Sequence, residues 1–141
     1  MKTQIITHQF DINPVPAARP RVSRWSTYYP KKYTRFKKEM EALTGELDTT
    51  PCENQVVVSL RFKIKIPQSW SKKKRLEREN TYCNNNSDID NYIKAMLDSL
   101  NGVYFIDDRQ VVEIFASKKY SNEPRILFKM MEINNDERGD V

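Results

Sequence analysis

From Val56 to Ile66 the chain alternates almost without a break. Val56, Val58, Leu60, Phe62, Ile64 and Ile66 point one way, and Ser59, Arg61, Lys63 and Lys65 point the other. A period of two predicts a strand that buries one face and turns a ladder of positive charge outward. Residues 4–12 read the same way, with Ile6, His8, Phe10 and Ile12 on one side, so His8 is expected as a core or edge residue. Asn13 to Pro30 is rich in proline and arginine and reads as a loop. Pro30 is suited to the first position of a helix whose inner face carries Phe36, Met40, Leu43 and Leu47, fraying at Gly45.

A short charged helix is predicted from Ser71 to Glu79, followed by a polar loop, Asn84-Asn85-Asn86-Ser87. Helical spacing returns from Asp88 to Leu100, with Ile93, Leu97 and Leu100 apolar and Ser87 or Asp88 as the cap. Asn101-Gly102 ends that helix, and Val103 to Ile106 reads as a short strand. Residues 110–119 and 125–133 read as a hairpin joined across Ser121-Asn122-Glu123-Pro124. The expected architecture is a single small α+β domain over residues 1–133, a mixed or antiparallel sheet with packed helices. A polar tail covers 134–141.

Composition sharpens this. The 141 residues suffice for a core without staples, and two cysteines with one histidine leave neither a disulfide framework nor a Cys/His zinc set. No apolar run approaches the length of a membrane span, and the N-terminus has a strand pattern rather than a signal peptide's, so a reducing, cytoplasmic setting is expected. The net charge of +5 is concentrated. Between Asn13 and Lys38 stand eight basic residues and no acid: Arg19, Arg21, Arg24, Lys31, Lys32, Arg35, Lys37 and Lys38. Trp25, Tyr28, Tyr29, Tyr33 and Phe36 are interleaved with them, a mixture of phosphate-neutralising and base-stacking groups that suits nucleic acid. A second basic block, including Arg61, Lys63, Lys65, Lys72, Lys73 and Lys74, runs to Arg78.

Against this background the acids form an island: Asp88, Asp90, Asp98, Asp107, Asp108 and Glu113. An EF-hand is excluded, because Ile93 stands where the turn glycine must be. A helix over 89–100 climbs about 18 Å. After the Asn101-Gly102 turn, six extended residues descend roughly 20 Å, which is expected to bring Asp108 back to the level of Asp88 and Asp90. Three carboxylates converging in this way would repel one another unless they hold cations, and Mg²⁺, with Mn²⁺ as substitute, is the hard ion such oxygens suit. Bound there it would activate water for hydrolysis of a phosphodiester. Lys94, four residues after Asp90, reaches the same site to stabilise developing charge, while Asp98 and Asp107 are expected to support it. Asp88, Asp90, Lys94 and Asp108 are therefore the catalytic candidates.

The run from Asp88-Ile-Asp-Asn-Tyr-Ile-Lys94 through Asp98-Ser-Leu-Asn-Gly, followed by Asp107-Asp108-Arg-Gln-Val, resembles the RusA family of Holliday-junction resolvases of bacteria and their phages. Pro14-Val-Pro16 to Arg19-Pro-Arg21 and Tyr29-Pro30-Lys31-Lys32-Tyr33 resemble the basic N-terminal region of its phage-type members. The resemblance implies a homodimer that cuts four-way DNA junctions with Mg²⁺ in recombination and repair, without a small-molecule cofactor. It also implies a bacterial setting, with phage or prophage origin open. By motif position it gives Asp88, Asp90 and Asp108 the metal and Lys94 the essential lysine role. The chain departs from many relatives in carrying Asn86-Ser87 where they have Lys-Pro. Two other readings stand beside this one: a non-catalytic DNA-binding recombination accessory protein, and a nuclease acting on other branched DNA.

Overall fold

In the computed structural model, which describes residues 4–133, Val56 to Lys65 forms the long strand that its alternation predicts (β4 in chain order). The elements are β1 (Ile5–Phe10), β2 (Arg21–Val22), β3 (Thr27–Tyr28), α1 (Lys31–Gly45), β4 (Val56–Lys65), α2 (Lys72–Arg78), α3 (Ile89–Leu100), a 3₁₀ turn (Asp108–Gln110), β5 (Val111–Ser121) and β6 (Arg125–Glu132). The main sheet has the order β1-β6-β4-β5, antiparallel except for the β4–β5 pair, and β2 with β3 makes a small separate ribbon within the basic loop. This is the mixed-sheet α+β domain expected; the tail at 134–141 lies outside the described residues.

The core lies between the inner face of the sheet and the helices α1 and α3. Val56, Val58, Leu60, Phe62, Ile64 and Ile66 are all buried, as are Phe10, Ile126, Phe128 and Met130 from the neighbouring strands. Each such side chain contributes about 1.5–3 kcal/mol when fully buried. His8 sits half-buried beside Phe10, with ring centroids 4.3 Å apart.

Four expectations need correction. Residues 121–124 do not close a hairpin, because β5 and β6 each pair with β4, which lies between them. The gap is about two strand spacings, roughly 10 Å, which the short connection can span. Val103–Ile106 is a turn held by Val103 and Tyr104 N–H groups donating to Leu100 O, with Phe105 in an isolated bridge, rather than a strand. Tyr104 and Phe105 are both buried there, so apolar anchoring replaces an extended run. On α3 the buried positions are Tyr92, Ala95, Met96 and Leu100, while Ile93 and Leu97 are only partly covered. The stripe is rotated because Tyr92 packs on Phe62, with centroids 5.5 Å apart. Finally, Pro30 is the residue before α1 rather than its first residue, and Tyr33 and Thr44 join Phe36 and Met40 on the buried face.

A bulge in β5 opposite Val56 and Val57 adds Val112 to the strand. It shifts the phase, so that Val111 and Ile114 both pack toward the core.

Candidate active site

The N-terminus of α3 organises the acidic island. Asp88 caps the helix with extended backbone geometry but makes no side-chain cap hydrogen bond, and Asp90 lies in the first turn. Both are exposed, at the end of a helix whose macrodipole favours negative charge. Asp90, Lys94 and Asp98 follow one another at four-residue spacing and line a single cleft of about 290 Å³. Its opposite wall is the basic segment: Arg19 from the loop, Tyr29 just before α1, and Tyr33 and Lys37 from the first turns of α1. A backbone hydrogen bond from Ala17 N to Asn91 O, 2.8 Å, fastens that loop to the helix. The ammonium of Lys37 lies over the rings of Tyr29 and Tyr33, at 5.5 and 5.3 Å. The Tyr33 hydroxyl is pushed up to about 12, first by burial and then by the Asp98 carboxylate beside it.

Asp107 and Asp108 start the 3₁₀ turn. Asp107 Oδ1 accepts from Arg109 N at 3.0 Å, and Gln110 Oε1 accepts from Asp107 N at 2.8 Å, a reciprocal capping box. The other end of the Gln110 amide donates to Cys52 O at 2.7 Å and Asn54 O at 2.8 Å, pinning the turn to the loop before β4. The backbone N–H of Arg109 holds the Asp107 carboxyl below its ordinary range. Asp108 is pushed above its own by the hydrogen bond shared with Asp107, by burial, and by the charges of Asp107 and Asp98.

The Asp98 charge among these causes relates the Asp107-Asp108 turn to the acidic row of α3. Asp98 stands eight residues beyond Asp90, about 12 Å along the helix. Among the described residues, no group of three or more His, Cys, Asp or Glu side chains is close enough together to hold a metal ion. By donor type the set fits a hard divalent cation: every candidate ligand is a surface carboxylate, and no thiol or imidazole lies among them.

The basic candidates divide into separate groups. Arg21, Lys32 and Lys65 line a cleft of about 380 Å³ with Asn85, Ser87 and Tyr92, beside the entry to α3. Lys31 joins Lys32 in the first turn of α1, where no acid offsets the positive end of the helix dipole. Arg24 lies over Trp25, 5.4 Å from the ring centroid, in the exposed tip between β2 and β3. Lys72, Lys73 and Lys74 lie on α2, which buries no residue, and Lys74 lies 4.1 Å from the Trp70 ring centroid. Arg61 and Lys63 are on the opposite face of the sheet from α3.

Two positioning residues were not legible in the sequence. Gln110 looked like part of a motif, but its role depends on carbonyls more than fifty residues earlier. Lys118, within β5, donates to Asn85 Oδ1 at 2.7 Å and to Ser87 O at 2.6 Å, holding the segment that leads into Asp88. Asn85 in turn donates to the Tyr92 hydroxyl at 2.8 Å.

A protein of Bacillus subtilis (strain 168) named "Uncharacterized protein YqaN" is 30% identical over 130 residues, covering 86% of this chain and 92% of that protein. The family model for "Endodeoxyribonuclease RusA" matches residues 11–131, a span that holds the basic loop, α3 and the Asp107-Asp108 turn, and the chain belongs to that family.

Proposed function

We propose that this chain is a structure-specific endodeoxyribonuclease that resolves four-way junctions by divalent-metal-dependent hydrolysis, acting as a homodimer that nicks opposed strands in pairs. The observation that carries the reading is the facing of two unlike surfaces across one cleft: Asp90, Lys94 and Asp98 on one side, Arg19 and Lys37 on the other. A solvated helix face needs no such wall, whereas a phosphodiester chain needs both cations along its backbone and carboxylates at the scissile bond.

Asp88, Asp90 and Asp108 are the residues that would hold Mg²⁺ or Mn²⁺. When bound, such an ion supplies an activated water and charge stabilisation at the leaving oxygen. Lys94 extends from the same helix face and offsets negative charge building on the phosphorus-bound oxygens. Arg19 and Lys37 hold the flanking phosphates, and Arg21, Lys32 and Lys65 continue that track past the start of α3. The Asp107 capping box fixes the backbone that presents Asp108. A two-fold dimer matches the two-fold symmetry of a junction and would place one such cleft on each of two strands.

The test is incubation of the purified chain with a labelled synthetic four-way junction, with and without Mg²⁺, beside Asp90→Asn. Symmetric paired nicks that need the metal and fall by about 100-fold or more in the variant are the expected result. Junction binding without cutting in Mg²⁺ or Mn²⁺ would instead leave a DNA-binding accessory protein. Cutting of flaps or forks in preference to junctions would change the substrate but not the chemistry.

A further inference from the structure

Lys119, Lys63 and Arg125 stand side by side across β5, β4 and β6, in a single cross-strand row on the face of the sheet turned away from α1 and α3. Arg61 lies two residues along β4 on the same face, between Ser117 and Leu127. Like charges directly opposite one another destabilise a sheet, and here three adjoin in one row. The strain registers on Lys63, which is held below its ordinary range by burial and then by Lys119, Arg125 and Arg61.

The nearby carboxylates answer only part of this charge. Glu123 pairs with Arg125 at 3.0 Å, and Glu79 acts on Lys63 while accepting from Asn122 N at 2.8 Å. Lys63 donates to the neutral Asn80 Oδ1 at 2.9 Å, and Lys119 lies 4.9 Å from the centroid of the exposed Tyr82 ring. Between them opens a cleft of about 240 Å³ lined by Arg61, Lys63, Lys119, Ser117 and Tyr82.

We propose that this cleft, on the sheet face opposite the acidic site, binds the phosphate backbone of a nucleic-acid strand; the proposal rests on the nuclease reading above. Three strands of cations span about 10 Å, wider than one phosphate and suited to a polyanion. The cleft is also tied to the acidic site by a few residues. Segment 80–83 pairs with the end of β5, through Asn80 N to Tyr120 O at 2.9 Å, Tyr120 N to Thr81 O at 2.9 Å and Cys83 N to Lys118 O at 3.0 Å. That segment runs on through Ser87, held by Lys118, to Asp88. A second basic surface on the open face would give the enzyme a grip on another arm of a branched substrate.

The test is the salt dependence of junction binding, in Mg²⁺, by the Asp90→Asn chain with and without Arg61→Ala and Lys119→Ala together. Loss of two phosphate contacts is expected to reduce the slope of log K against log salt by about two and to weaken binding about tenfold or more at moderate salt. Arg61→Lys with Lys119→Arg, which keeps the charges, is expected to retain the parent slope, separating phosphate contact from misfolding. An unchanged slope in the alanine pair, with junction binding intact, overturns this proposal alone. A parent chain that binds no junction overturns the nuclease reading and this one with it.

Discussion

The Lys118 ammonium reaches from β5 to the carbonyl of Ser87, 2.6 Å away, and so fixes the residue immediately before Asp88. Where many relatives are expected to stiffen this entry with proline, here the same segment is restrained from across the fold, by a charge-assisted hydrogen bond and the Asn85 side chain. Lys118→Met is expected to lower stability by about 1–3 kcal/mol and to reduce junction cleavage about tenfold with little change in DNA affinity. Lys118→Arg should recover part of the rate. Urea denaturation beside single-turnover cleavage checks both effects.

Gln110 restrains the other half of the acidic island. Gln110→Ala removes its bonds to Cys52 O, Asn54 O and Asp107 N, each worth about 1 kcal/mol. Cleavage is expected to fall while junction binding holds, because the lost bonds position Asp108 rather than touch DNA. Gel-shift and cleavage assays on the same preparation distinguish the two.

Phe105 is fully buried within the turn that replaces the expected strand at 103–106. Phe105→Ala is expected to cost about 3–5 kcal/mol, visible as a lower denaturant midpoint at unchanged slope. By comparison, truncating Ile106, exposed beside it, should leave the midpoint nearly in place.

The sequence and the structure part company at instructive places. β4 was legible because its alternation is set by one buried face, and the acidic motif because its residues are adjacent in the chain. The β4–β5–β6 arrangement was not legible: a four-residue polar turn fits a hairpin and a step over an intervening strand equally well, and only long-range pairing decides between them. Lys118 was not legible for the same reason: its partners lie some thirty residues earlier. The strand expected at 103–106 is a turn instead, because Tyr104 and Phe105 favour burial in a turn as readily as in a strand.

Tyr33 gives a prediction at alkaline pH. Its folded value of about 12, above the ordinary tyrosine value of 10.0, means that the fold prefers the neutral phenol. The stability it contributes is therefore full below pH 10 and is lost as pH rises toward and through about 12. Wild-type protein should lose stability over this window faster than Tyr33→Phe, which carries no ionisable hydroxyl. Equilibrium denaturation from pH 9 to 12 checks the difference; parallel curves would remove Tyr33 from the account.

The placement of β6 has a consequence for how the protein folds. β6 lies between β1 and β4 in the sheet, so it joins the earliest strand to a central one. Until β6 pairs, β1 has no neighbour in the sheet and one edge of β4 is bare, so the four-stranded sheet is complete only when β6 docks. Such long-range pairing slows folding relative to local contacts, and it makes the fold that supports the acidic cleft depend on a strand more than a hundred residues from β1.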